Sequence, residues 1–220
     1  MRIFTSLLIA LLLMATHANA QERNVPAKEI QSAAIQSTAQ RALETFSQLV
    51  TKENFKQMGF DSPDEVRTAA LGMPLHDYLV QLDVLKKYEP GSKTDELLTA
   101  TNQIVYPILV NNQVKSSITI SKTKESWQAV SFGGSSFVKM LSKTLTENSR
   151  ETGLAYSAYF IVRVPSLNLF FLGYRVKDEL MLVPIMDEPR LKLKAGASVK
   201  AENVFSAILP DAKAHNGLPR

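Results

Sequence analysis

Apolar and polar positions divide the chain into a few strongly periodic stretches. After Pro26, the residues Ile30, Ala34, Ile35, Ala39, Ala42, Leu43, Phe46, Leu49 and Val50 recur at three- and four-residue steps. That spacing puts one apolar stripe on a long helix over residues 27–51, with glutamines, threonines and charges on its other side. Asp61-Ser62-Pro63-Asp64-Glu65 reads as a helix start, with Ser62 as cap, Pro63 in the first turn and Glu65 reaching back. The pattern then changes to alternation. Tyr78, Val80 and Leu82 share one face of a strand over residues 75–82, and Asp83 opens a short turn. Strands follow over Ile104–Val110, Val114–Ile120 and Trp127–Phe132, with Asn111-Asn112 as the hairpin turn because asparagine tolerates positive φ. Pro107 within the first of these calls for an edge or a bulge, since it lacks a donor for the ladder.

Gly133-Gly134 ends this meander, and Phe137, Met140, Leu141 and Leu145 predict a helix over residues 136–149. Leu154–Val164, Leu169–Val176 and Leu180–Met186 are apolar on both faces, so the sheet they form is expected to be covered on both sides. Leu191–Lys194 reads as a short strand with a lysine face, and Glu202–Leu209 as a short helix stopped by Pro210. Helices separated by runs of strands with short turns make an α+β chain with antiparallel sheet. The halves 53–134 and 135–209 both read as a helix and then several strands, an order that resembles a duplicated helix-on-sheet unit of the cystatin-like or PAS-like kind; a single larger sheet wrapped by the long helix is the equal alternative. One domain over residues 21–210 with a flexible tail over 211–220 is the expected organisation.

The N-terminus changes the picture of where the protein works. Arg2, an apolar run over Ser6–Met14 and Ala18-Asn19-Ala20 make a secretory signal peptide over residues 1–20. The run is shorter than the about 20 apolar residues that span a bilayer. The protein is therefore expected to be exported, periplasmic or secreted, with no transmembrane anchor. The chain has no cysteine, which removes disulfides, thiol nucleophiles and thiolate metal sites. Its charge of +4 falls to +3 on loss of Arg2 with the signal, and the basic residues are interspersed, which argues against nucleic acid as a partner.

Candidate chemistry is sparse. His76 is the one plausible base, but its neighbour Asp77 should point to the opposite face of the strand, and no Gly-x-Ser-x-Gly elbow is present. No metal-ligand spacing and no cofactor motif occurs, so neither a metal nor a cofactor is expected. Gly133, Gly134, Ser135 and Ser136, between a strand and a helix, could offer free N–H groups to an anion, or form a tight turn in which a serine caps the helix. Tyr156, Tyr159, Phe160, Phe170, Phe171 and Tyr174 gather on one predicted hairpin as core, the wall of an apolar pocket, or a protein interface. The leading expectation is a non-enzymatic binding module contacting another extracytoplasmic protein or peptide. The alternatives are a carrier or sensor of a small apolar molecule or lipid, and a hydrolase using carboxylates.

Overall fold

The computed structural model describes residues 33–217; the expected signal peptide and the first residues of the long helix lie outside them. The chain is α+β: one mixed, mostly antiparallel nine-stranded sheet with helices on both faces. Its elements are α1 (Ala33–Leu49), β1 (Ala70–Leu71), β2 (Leu75–Val80), α2 (Leu82–Lys86), β3 (Leu98–Val110), β4 (Gln113–Lys122), β5 (Trp127–Gly133) and α3 (Ser135–Thr152). After these come β6 (Phe160–Val164), β7 (Leu169–Val176), β8 (Glu179–Pro184), β9 (Val199–Lys200) and α4 (Ala201–Ala214). The strand order is β5-β4-β3-β2-β6-β7-β8-β9, with β1 beside β3. Two antiparallel meanders thus meet at one parallel pair, β2 with β6.

The registers sort the core by face. Ile104, Tyr106, Ile108, Ile118 and Ile120 point to α1, where Phe46 packs 5.8 Å from both Phe60 and Phe132. On the same face Val80, Phe160, Val162, Phe171 and Leu182 meet α2 and α4 through Leu85, Val204, Phe205 and Ile208. The opposite face is covered by α3, whose Leu141 and Leu145 meet Leu75, Ile161, Leu172 and Val183. Both faces of β6–β8 are therefore buried, which is why these strands are apolar throughout.

Several expectations shift for local reasons. The Asn111-Asn112 turn has the positive φ angles anticipated, 50° and 61°. Pro107 sits in a central strand, but its carbonyl faces Gly72 in the break between β1 and β2, so the missing donor falls where no ladder runs. Pro63–Thr68 is a 3₁₀ helix, not an α-helix, and Ser62 makes no capping bond; Glu65 does reach back, to the Asp61 N–H. The same carboxylates hold the nearly buried Lys115 ammonium, which ties this segment to β4 and pushes the Lys115 pKa up. Leu154–Ala158 is not strand: a 3₁₀ turn holds Tyr156–Ala158. Leu191–Lys194 is likewise not a strand, because Lys192 has a positive φ and only one bridge, Glu188 with Leu193, forms there. The last helix does not stop at Pro210 but runs to Ala214, and Ala212 and His215 are buried. Burial of Ile208, Leu209 and Ala212 against the sheet offsets the cost of an interior proline, about 3 kcal/mol.

Tyr106 carries a pH signature. It is 4 % exposed, and its hydroxyl has no partner among the described residues. Burial pushes its pKa up to about 12. The native state keeps the phenol neutral while the unfolded chain ionises near pH 10, so this contribution is complete below pH 10 and lost as pH rises toward 12. Urea melts between pH 9 and 12 should show Tyr106→Phe losing less stability than the native protein, by on the order of 2 kcal/mol. Equal losses in the two proteins would refute this.

Candidate functional site

An open cleft of about 1220 Å³ lies at one end of the sheet. Tyr78 of β2, Leu98 of β3 and Leu180 of β8 form its floor. Its walls are the loop over residues 91–96, the β7–β8 turn over 176–179, and Lys200 and Glu202 where α4 begins. The Pro90-Gly91 turn, with Gly91 at φ 93°, starts the first wall, and a 3₁₀ turn over Thr94–Leu97 swings Asp95 inward while Leu97 anchors it in the core. The second wall is a two-residue hairpin turn with Lys177 in the left-handed region.

Arg175 is the centre of this site. Its guanidinium carbon lies 4.9 Å from the centroid of the Phe160 ring, and both its Nε (3.0 Å) and a terminal nitrogen donate to Oδ1 of Asp95. Phe160 in turn meets Tyr78 edge-on at 5.1 Å. A glycine makes this stack possible. Gly173 pairs with Phe160 across β6 and β7, and a Cβ there would come within 2.5 Å of the Phe160 ring. Burial raises the Tyr78 pKa, Arg175 nearby lowers it, and Asp95 raises it. Lys200 is bound to Glu179 at 2.7 Å, which raises the lysine pKa. The cleft thus carries charges of both signs, and its two ion pairs, Arg175 with Asp95 and Lys200 with Glu179, are of the exposed kind that adds little to stability.

Gly173→Ala should cost about 1–3 kcal/mol by overpacking and should displace Phe160 from beneath Arg175. Thermal melts together with the aromatic proton shifts of Phe160 and Tyr78 test this; an unchanged melt with unchanged shifts counts against the stack.

The residues singled out from sequence do not gather into one site, although Tyr159 and Tyr174 meet at 5.2 Å. Phe160 and Phe171 are buried beneath α2 and α4, Tyr159, Phe170 and Tyr174 pack on the α3 side, and Tyr156 is exposed. Of these six, Phe160 alone bears on the cleft, as the backing of Arg175. Gly133 and Gly134 have positive φ, and Gly134 itself is the N-cap of α3; no serine side chain caps the helix, and Ser117 donates to the Gly133 carbonyl at 2.6 Å. His76 faces the α1 side, in register with Ile104. Asp77 faces the α3 side, where Arg163 grips both its oxygens and Thr101 donates to Oδ2 at 2.8 Å. The carboxylate is thus committed away from the imidazole. Sequence reading passed over Arg175, Asp95 and Tyr78. The usable signal was Gly173, a glycine inside an apolar strand, which marks a close approach by another group.

Among the described residues no cluster of histidine, aspartate and glutamate could hold a metal ion, and no helix is long and apolar enough to cross a membrane. No known protein family, curated protein or solved structure matches this chain. The arrangement in the cleft offers hydrogen bonding, an aromatic-backed cation and exchangeable charges.

Proposed function

We propose that this protein is an exported, non-enzymatic binding module that holds a peptide segment of another extracytoplasmic protein in the cleft beside Arg175. The observation that carries the reading is the cleft itself: an open trough with an apolar and aromatic floor and walls charged with both signs. Extended peptides need such a combination, an apolar base for side chains and polar rims for register. The buried positions of Phe171, Tyr159 and Tyr174 favour this over a carrier of apolar molecules, because those rings are spent on core packing. Export rests on the signal peptide over residues 1–20, and the periplasm or the medium is the compartment of action. The reading of the halves 53–134 and 135–209 as a duplicated unit rests on each contributing an antiparallel meander that meets the other at the parallel β2–β6 pair.

The test is capture from extracytoplasmic extract. A tagged chain with its own N-terminus should be cleaved after Ala20 and should retain a partner. Ser92→Trp, which fills the cleft from its rim, should lose that partner, and Lys143→Trp on the exposed side of α3 should keep it. Equal capture by all three chains, or none by any, defeats the reading.

A further inference from the structure

We propose that Arg175 is the anchor for a side-chain carboxylate of a bound peptide and that Asp95 is its built-in competitor. This rests on the peptide-binding reading above and names the chemistry the cleft selects. Arg175 spends Nε and one terminal nitrogen on a single oxygen of Asp95, while its other terminal nitrogen and Asp95 Oδ2 have no partner among the described residues. A guanidinium fork is matched to both oxygens of a carboxylate, so the internal pair uses half of what the arginine offers. The cation is also held in place before any ligand arrives. Phe160 lies under it, and Gly173 leaves the room that fixes Phe160. An arginine so stacked loses little further freedom on binding.

The cost of exchange is small. Arg175 and Asp95 side chains are 38 % and 41 % exposed, so their bond already competes with water. Tyr78, edge-on to Phe160, lines the same cleft.

The surroundings select the occupant. With Lys200 and Glu179 paired to each other, Glu96, Asp178 and Glu202 face Lys93 and Lys177 on the rim, an excess of one acid that adds no attraction for a doubly charged phosphate. A single carboxylate flanked by basic residues complements both the central arginine and that small excess of acid. The cleft is open to solvent and not enclosed, so a peptide can lie across it and present the carboxylate of a glutamate or aspartate side chain.

The probe is an array of N-acetylated, C-amidated octapeptides with one glutamate between lysines, each matched to its glutamine twin, read by fluorescence polarisation. Blocked ends leave the side chain as the only carboxylate. The native protein should prefer glutamate over glutamine by roughly five- to tenfold. Asp95→Asn should tighten the glutamate peptides by about three- to tenfold and leave the glutamine twins unchanged. Arg175→Lys keeps the charge but loses the fork, and it should abolish the preference. A purely structural ion pair predicts the reverse for Asp95→Asn, a loss or no change. Should Arg175→Lys fail to fold, the native and Asp95→Asn comparisons still decide. Equal binding of the twins, absent binding of both, or weaker binding by Asp95→Asn overturns the proposal. If the twins bind equally while Ser92→Trp still loses its protein partner, the carboxylate assignment fails and the peptide-binding reading stands.

Discussion

Replacing Arg163 by alanine is expected to cost about 3 kcal/mol of folding stability, the low end of the loss typical when one member of a buried ion pair is removed, because the Arg163 side chain is 33 % exposed while Asp77 is buried. The reason lies in the partner left behind. Asp77 is 3 % exposed, at the seam where β2 runs parallel to β6. In the native protein Arg163 donates to both its oxygens, and Thr101 adds a third bond from β3. Without the guanidinium a carboxylate would remain in the core with one hydroxyl to satisfy it. Removing both charges should hurt far less, because hydrophobic replacement of a buried pair is often neutral. The check is urea denaturation of Arg163→Ala beside the double variant Asp77→Leu, Arg163→Leu. If the double variant is no more stable than Arg163→Ala, the strand seam needs the ion pair for more than charge balance.

Phe205→Ala should be comparably damaging, at about 3–5 kcal/mol, the range for emptying a fully buried aromatic site. Phe205 is 0 % exposed and meets Tyr88 edge-on at 6.0 Å. It joins α4 to the sheet between Leu85 of α2 and the strand residues Phe171 and Leu182. The start of the same helix carries Glu202, one wall of the cleft. Phe205→Leu, which keeps most of the volume, should recover more than half of the loss. Chemical denaturation of the two variants settles this, and equal losses would mean that the site tolerates no change of shape.

The parts of the fold that were legible in the sequence are those with local causes. The β3–β5 meander could be read because Asn111-Asn112 imposes its turn and alternation sets its faces. The middle of α3 followed from its apolar spacing, but the expected end at residue 149 falls short of Thr152, because the helix closes only at the left-handed Gly153, whose N–H donates to the Ser149 carbonyl. What could not be read depends on distant chain. Nothing near Leu75–Val80 or Phe160–Val164 announces that these strands pair with each other, and in parallel. Pro210 reads as a stop because its cost is local, while the burial that overrides it comes from the sheet. The same holds for the cleft. Tyr78, Asp95 and Arg175 are far apart in sequence, and only the loop over residues 91–96 and the β7–β8 turn bring them together. Five of the six aromatics of one predicted hairpin went to two faces because alternation along the chain at β6 and β7 sends successive rings to opposite sides, while Tyr156 lies exposed on the 3₁₀ turn before β6.

The parallel seam between β2 and β6 also governs how safely the molecule can be divided. Each of these strands is the inner border of its own half of the sheet. Between them, Leu75–Val80 and Phe160–Val164 carry two formal charges, Asp77 and Arg163. Bare borders of that composition are templates for uncontrolled strand addition, the first step toward insoluble aggregates. The intact chain avoids this by laying the two stickiest borders against each other and neutralising their charges in one contact. Either half produced by itself would leave its border bare, with an unmatched carboxylate or guanidinium as its only gatekeeper.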